Sequence, residues 1–409
     1  MQVFCHNRRS AYFWVMEIYL FNPDSDMALA ANKPNYTPPA NIRRMVSDMS
    51  MLPVWYAAPE SVVLSDSDYD RQHLAYLKTR LDIPVELMSG SELRKMAAPY
   101  VHPWGWNMSL RNHLVRLGID SSRLPSDEEL TFCRRMSSRS VLADSGLLRT
   151  LQSIEHCDAS QFSVDSVDEC RRIISTVPRG VVFKKPWSSS GKGLLWCRDG
   201  QFNERDANWC RKAIDEQGVL VASPIYNKVL DFAMEFHADR QSGSACFAGY
   251  SLFRADSAGR YKGNMLAPDD TILCELTRYV PLETLLQVRD SITAFVPSLG
   301  HSGYMGVDML VYETDDGNYG VCPAVEHNLR MTMGMVCRSF ADRFLDNNSV
   351  GTFEVRHFDD AEQAADFCRS QSTASPLRTR DDGRILSGFL NLTAVGPECQ
   401  NMAFVTATH

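Results

Sequence analysis

Residues 303–334 (GYMGVDMLVYETDDGNYGVCPAVEHNLRMTMG) constrain the chain most, because they read as two strands joined by a tight turn. Residues 306–312 and 319–325 are apolar and partly β-branched, and Asp315-Asp316-Gly317-Asn318 between them is a hairpin signal. Asp308 lies inside the first strand. Glu326 and Asn328 are two apart at the end of the second and share a face if the chain stays extended. A three-residue loop centred on Gly317 sets Asp308 opposite Glu326, whereas a two-residue Asp-Gly turn slips the register and separates the carboxylates. Pro323 cannot donate to a ladder, so a bulge there is another way to adjust the register. Facing carboxylates repel, and a divalent cation between them relieves the repulsion. Carboxylate and amide oxygens form a hard donor set, suited to Mg²⁺ or Mn²⁺ rather than to zinc. The plain alternative is two solvated acids on an edge hairpin.

The chain has 409 residues, enough for two or three packed units. A formal charge of −8 gives no reason to expect a nucleic-acid partner. Twelve cysteines without a C-x-x-C pair argue against a zinc module, and with no secretory signal they favour a reduced, cytoplasmic setting. No apolar run reaches membrane-spanning length. Residues 1–15 carry basic residues and a short apolar patch, and residues 16–21 (MEIYLF) look like a first strand. The expectation is a biological start at Met16, with residues 1–15 a misassigned or dispensable extension; a short targeting arm is the alternative.

Residues 16–106 alternate strands (16–21, 52–57, 61–64, 84–88) with helices (41–51, 71–80), the pattern of a small open parallel sheet. Asp24 and Asp26 lie just past the first strand, where such sheets bind ligands, although turn and cap chemistry is the preferred reading. No G-x-G-x-x-G follows that strand. Trp104-Gly105-Trp106 reads as a wedge between domains in preference to a cleft lining. Residues 118–126 are the clearest linker. Residues 125–148 look helical throughout, with Ser126 and Glu129 as a capping box. A serine-rich interruption places Arg139 toward either an anion or solvent.

Residues 180–195 (GVVFKKPWSSSGKGLL) begin as a buried strand. Lys185 precedes Pro186 and is biased to extended backbone, so the strand carries it to its end before turning into Ser189, Ser190, Gly191, Lys192 and Gly193. A Ser/Gly loop offers backbone N–H groups and hydroxyls to an anion; a flexible linker is the alternative. It is not a Walker A loop, because Pro186 stands where the first glycine belongs and Gly193 follows Lys192. A strand at 219–221 enters Ser223-Pro224-Ile225-Tyr226, and a later strand carries Asp231 and Glu235 four apart.

In this order the residues resemble the ATP-grasp superfamily of ligases. Lys185-Pro186 with its Ser/Gly loop, a hinge at 221–226, Asp231 and Glu235, Gly306-Val307-Asp308, then Glu326, Asn328 and Arg330 span roughly residues 125–345. The resemblance implies an α/β and α+β fold: two α+β lobes clamping ATP, behind a small Rossmann-like pre-ATP-grasp domain. The implied division is 16–120 for that domain and 121–345 for the ATP-grasp domain, with lobes at about 121–222 and 223–345. Residues 346–409 would complete the larger lobe or a lid, with no chemistry attached. By similarity, Lys185 contacts the nucleotide phosphates, with Lys184 able to exchange roles. Residues 189–193 close over the β- and γ-phosphates, and Ser223, Pro224, Ile225 and Tyr226 meet adenine through backbone groups. Asp231 joins the nucleotide-binding set. Asp308, Glu326 and Asn328 hold magnesium (or manganese), and Arg330 steadies the transferred phosphoryl group or the bound carboxylate. Two departures stand out: Ser223-Pro224 replaces an acidic hinge residue, and Arg139 replaces an upstream phosphate-binding lysine. The implied reaction converts a small-molecule or peptide carboxylate to an acyl phosphate that an amine displaces. A nucleotide binder without ligase activity and a related kinase are the other classes, and a homodimer is left open.

Overall fold

The computed structural model describes residues 16–96, 99–188, 193–256 and 261–409. Residues 1–15, and with them the question of the start at Met16, lie outside the described residues, as do Ser189, Ser190, Gly191 and Lys192. Among the described residues no helix is long and apolar enough to cross a membrane.

The first unit is a parallel sheet of β1 (Glu17–Leu20), β2 (Val62–Leu64), β3 (Glu86–Met88) and β4 (Tyr100–Pro103), in the order β3-β2-β1-β4. The order reverses between β1 and β4, so their carboxyl ends flank a topological switch point. The strand expected at 52–57 is instead a 3₁₀ turn, Leu52–Trp55. Its residues are buried all round rather than on alternate faces, and a short apolar run of that kind has no readable period.

The second unit is antiparallel: β5 (Phe162–Val164), β6 (Gly180–Lys184), β7 (Leu194–Arg198) and β8 (Leu220–Pro224), ordered β5-β8-β6-β7. Helices Val167–Thr176 and Glu204–Gln217 cover it, and Phe183, Ile173, Cys170 and Cys210 fill its core. Before it, the helix expected over 125–148 is three helices, Asp127–Met136, Ser140–Ala143 and Gly146–Gln152. The capping box of Ser126 and Glu129 starts the first. The break falls at the serines, whose hydroxyls compete for backbone groups: Ser137 bonds back to Cys133, and Ser138 to Ser140. It leaves the Arg139 amide on the carbonyl of Pro186, 3.2 Å away.

The third unit is a nine-stranded antiparallel sheet. Its strands are β9 (Asn227–Asp239), β10 (Ser244–Ala255), β11 (Tyr261–Leu266), β12 (Gly303–Glu313), β13 (Tyr319–Asn328), β14 (Val350–His357), β15 (Arg378–Thr379), β16 (Ile385–Asn391) and β17 (Asn401–Thr408). They run β13-β12-β9-β10-β11-β14-β17-β16-β15. Helix Leu282–Phe295 buries Leu285, Val288 and Ile292 against one part of it. Helix Met333–Phe344 joins the sheet to the first unit through a core shared by Trp55, Phe340, Leu392 and Val405. Polar ties reinforce that joint. Trp55 Nε1 donates to the Leu392 carbonyl at 2.8 Å, and the Asp48 carboxylate accepts from the Gln400 and Asn401 amides and from Asn401 Nδ2.

Candidate active site

The β12–β13 hairpin sets Asp308 directly opposite Glu326, and Gly306 opposite Asn328. The route differs from the simple turns considered above. The last ladder pair is Glu313 with Tyr319, so the loop spans 314–318. Cys322 faces Leu310 while Glu326 faces Asp308, so residues 323–325 oppose Met309 alone. A bulge at Pro323, which has no N–H to give, restores the pairing that the longer loop would otherwise miss.

All three side chains share one face. Asn328 Nδ2 donates to Asp308 Oδ2 at 3.2 Å. Burial pushes the Asp308 carboxyl well above the usual carboxylate range, and the charges of Glu326 and Glu235 add to this. Burial acts on Glu326 in the same direction, but the Arg139 guanidinium overrides it and holds the carboxyl down at about 2. Arg139 reaches Glu326 Oε2 with Nε and Nη2, both at 2.5 Å, and its Nη1 donates to the Lys185 carbonyl and to Ser188 Oγ at 2.8 Å. One guanidinium thus ties β13 to the end of β6.

At that end the two lysines part. Lys184 is buried, donates to the Val325 carbonyl at 3.2 Å, and lies in the field of Glu326 and Asp308. Burial lowers its pKa. Lys185, on the opposite face of the strand, pairs with Glu216 at 2.8 Å on helix Glu204–Gln217.

Arg330 closes the site from the other side. Its Nε and Nη2 donate to Asp26 Oδ2 at 2.9 and 2.7 Å, Nη2 also to Asn328 Oδ1 at 2.9 Å, and Nη1 to the Met331 carbonyl at 3.1 Å. Asp26 comes from the first unit, and sequence reasoning set it aside as turn chemistry; a ligand position past β1 was the only signal for it. Asp24, read the same way, makes no side-chain capping bond. Trp104 packs in the core against Phe21, with ring centres 5.1 Å apart, while Gly105 and Trp106 line the cleft. The cleft is walled by residues of all three units, among them Asp26, Trp106, Arg139, Trp187, Glu326 and Arg330.

The remaining candidates are scattered. Ser223 and Pro224 belong to β8, and the Ser223 hydroxyl is buried without a partner. The Ile225 amide is taken by the Gly180 carbonyl, and Tyr226 packs on Tyr312. Asp231 pairs with Lys228 at 2.6 Å near the start of β9, away from this cluster. Gly193 sits at φ +69°, where a Cβ would come within 2.8 Å of Ser188, so the return of the loop requires glycine. Glu235, four residues along β9 from Asp231, reaches the site instead. It is 1% exposed, accepts from Thr332 Oγ1 at 2.9 Å, and burial raises its carboxyl to about 8.

Two carboxylates and one amide oxygen suit a hard cation. Among the described residues no group of three or more His, Cys, Asp or Glu side chains has metal-binding geometry, so Asn328 is needed to complete a set here.

No family model matches the chain, and no curated protein matches its sequence. Solved structures match its fold. Biotin carboxylase from Campylobacter jejuni, crystallised with an ATP analogue, aligns with a TM-score of 0.52 at 10% identity, over 97% of this chain and 88% of that one. The biotin carboxylase domain of 2-oxoglutarate carboxylase from Hydrogenobacter thermophilus, in complex with MgADP, ADP and bicarbonate, aligns with a TM-score of 0.50 at 10% identity, over 97% and 86%. Three sheets in this order, with the opposed pair on the hairpin and the basic strand end facing it, give the chain an ATP-grasp fold behind a parallel α/β unit.

Proposed function

We propose that the chain is an ATP- and Mg²⁺-dependent ligase that activates a substrate carboxylate as an acyl phosphate for attack by an amine. One observation carries this reading: Asp308, Glu326 and Asn328 converge on one face, flanked by Lys184 on one side and by the Arg139 and Arg330 guanidiniums on the others. Proteins of this fold crystallised with MgADP and bicarbonate or an ATP analogue support it.

Magnesium held by Asp308, Glu326 and Asn328 would neutralise phosphate charge and polarise the γ-phosphoryl group. The chain's own residues do the positioning. Lys184, a point charge at the buried end of β6, serves the phosphates. Lys185 keeps helix Glu204–Gln217 against the strand. By the resemblance, the Ser/Gly segment 189–193 serves the β- and γ-phosphates; a backbone contact of 223–226 with the base cannot use the Ile225 amide, which the Gly180 carbonyl holds. Arg330 offers a planar fork that matches the attacking carboxylate. Arg139 joins the metal-side carboxylate to Ser188 just past β6, so the two lobes register on one another. The amine then forms the new C–N bond as the C–O bond to phosphate breaks.

We read residues 16–120 as the leading domain, 121–345 as the two lobes, and 346–409 as strands completing the larger lobe. The described cysteines are free thiols, which fits a cytoplasmic location. The experiment is ADP release by the purified chain against pooled small carboxylates, with hydroxylamine to trap an acyl phosphate as a hydroxamate. Carboxylate-dependent ADP with hydroxamate is expected. No substrate-dependent ADP means a nucleotide binder, and a stable phosphorylated product means a kinase.

A further inference from the structure

We propose that the cleft beside Arg330 contains a subsite for the ammonium group of the amine acceptor, built from Asp26, Ser25 and Trp106; it rests on the ligase reading and extends it to the second substrate.

The topology puts these residues there. Asp26 and Ser25 follow β1, and Trp106 follows β4. Those are the strands at whose carboxyl ends the sheet order reverses, where open parallel sheets leave a crevice. The Asn22 side chain staples the two segments together, donating to the Gly105 carbonyl at 2.7 Å and accepting from the Gly105 amide at 3.3 Å. Gly105 allows the close approach, since a Cβ there would lie 2.7 Å from Ser25 Oγ and 3.2 Å from Arg330 Cβ. The Met331 amide bonds to the Trp104 carbonyl at 2.9 Å, so the crevice opens directly onto the Arg330 segment.

The chemistry is that of a cation site. Arg330 holds Asp26 by one oxygen, Oδ2, and among the described residues Oδ1 has no hydrogen-bond partner. Ser25 is fully buried, lines the cleft, and its hydroxyl has no partner either. Two unused acceptors beside an indole, with a carboxylate among them, suit a primary ammonium. Arg330 shares Asp26 with this subsite, and Arg139 lines the same cleft on Glu326.

The test uses the full-length chain and glycinamide, a primary amine without a carboxylate, followed by saturation-transfer NMR, with acetate as the control ligand. Glycinamide is expected to bind the unmodified protein. Asp26→Asn should weaken it about 10- to 100-fold, the worth of a charged hydrogen bond, without weakening acetate. Ser25→Ala, a smaller change at a hydroxyl that bonds nothing in the protein, should weaken glycinamide several-fold while leaving thermal unfolding in place. Failure of glycinamide to bind, or equal binding by Asp26→Asn, overturns the subsite. The ligase reading is judged separately by hydroxamate formation. Asp26-dependent glycinamide binding without ADP release sinks that reading and keeps the subsite, and hydroxamate formation with Asp26-indifferent binding does the reverse.

Discussion

Asp308 faces Glu326 across the β12–β13 ladder, and among the described residues the guanidinium bonded to that pair, Arg139, contacts Glu326 alone. Asp308 is left with an amide for a neighbour and a carboxyl pushed upward by burial. An arrangement that costs the free protein stability gains when a cation arrives. Glu326→Ala should therefore lower ATP turnover by on the order of 10²–10³ and leave the folded state intact, as read by coupled ADP assay and circular dichroism. Unchanged turnover removes Glu326 from the chemistry.

The two lysines at the end of β6 give a paired prediction. Lys184→Met should weaken nucleotide binding about tenfold or more, the loss of one charged contact. Lys185→Met should change it by less than about threefold, because an exposed ion pair with Glu216 contributes little. Calorimetry with ADP and magnesium compares them; the reverse ranking would return the role to Lys185.

Glu235 predicts a pH dependence. Its folded carboxyl, raised to about 8 by burial, holds a proton that the unfolded chain gives up near the ordinary value of 4.5. Stability from this group is full below the unfolded value and declines as pH rises through about 8, by an amount of order a few kcal/mol. Glu235→Gln keeps the Thr332 bond and removes the proton, so its urea midpoint should fall less between pH 5 and 8.5. Parallel midpoints for the two proteins would contradict the raised carboxyl.

Gly105→Ala tests the junction of the first unit with the Arg330 segment. The added methyl meets Ser25 Cβ at 2.8 Å and Arg330 Cβ at 3.2 Å. Overpacking of this kind should cost about 1–3 kcal/mol in chemical denaturation. A neutral substitution would mean the two segments part easily.

Much of this was legible in the sequence because it rests on local signals. Two apolar, partly β-branched runs and the turn between them announced the hairpin, and spacing of two put Glu326 and Asn328 on one face. What escaped depended on distant partners. Whether Lys184 or Lys185 meets the cleft is a matter of which face of the small sheet looks inward, and strand alternation states only that they differ. Asp26 meets a residue 304 positions away, and no local pattern announces such a pair. Residues 52–57 were misread because an apolar run buried on every side has no period. Residues 346–409 were expected to complete the larger lobe or a lid, but their place in the large sheet follows from pairing with β11 through β14.

The joint between Trp55 and Leu392, and between Asp48 and Asn401, has a temporal meaning for a chain made from its amino end. The β1–β4 unit leaves the ribosome early with a tryptophan and an aspartate waiting for partners more than three hundred residues downstream. Until residues 385–405 emerge, the apolar flank around Trp55 lacks Leu392, Ala403 and Val405 to pack against.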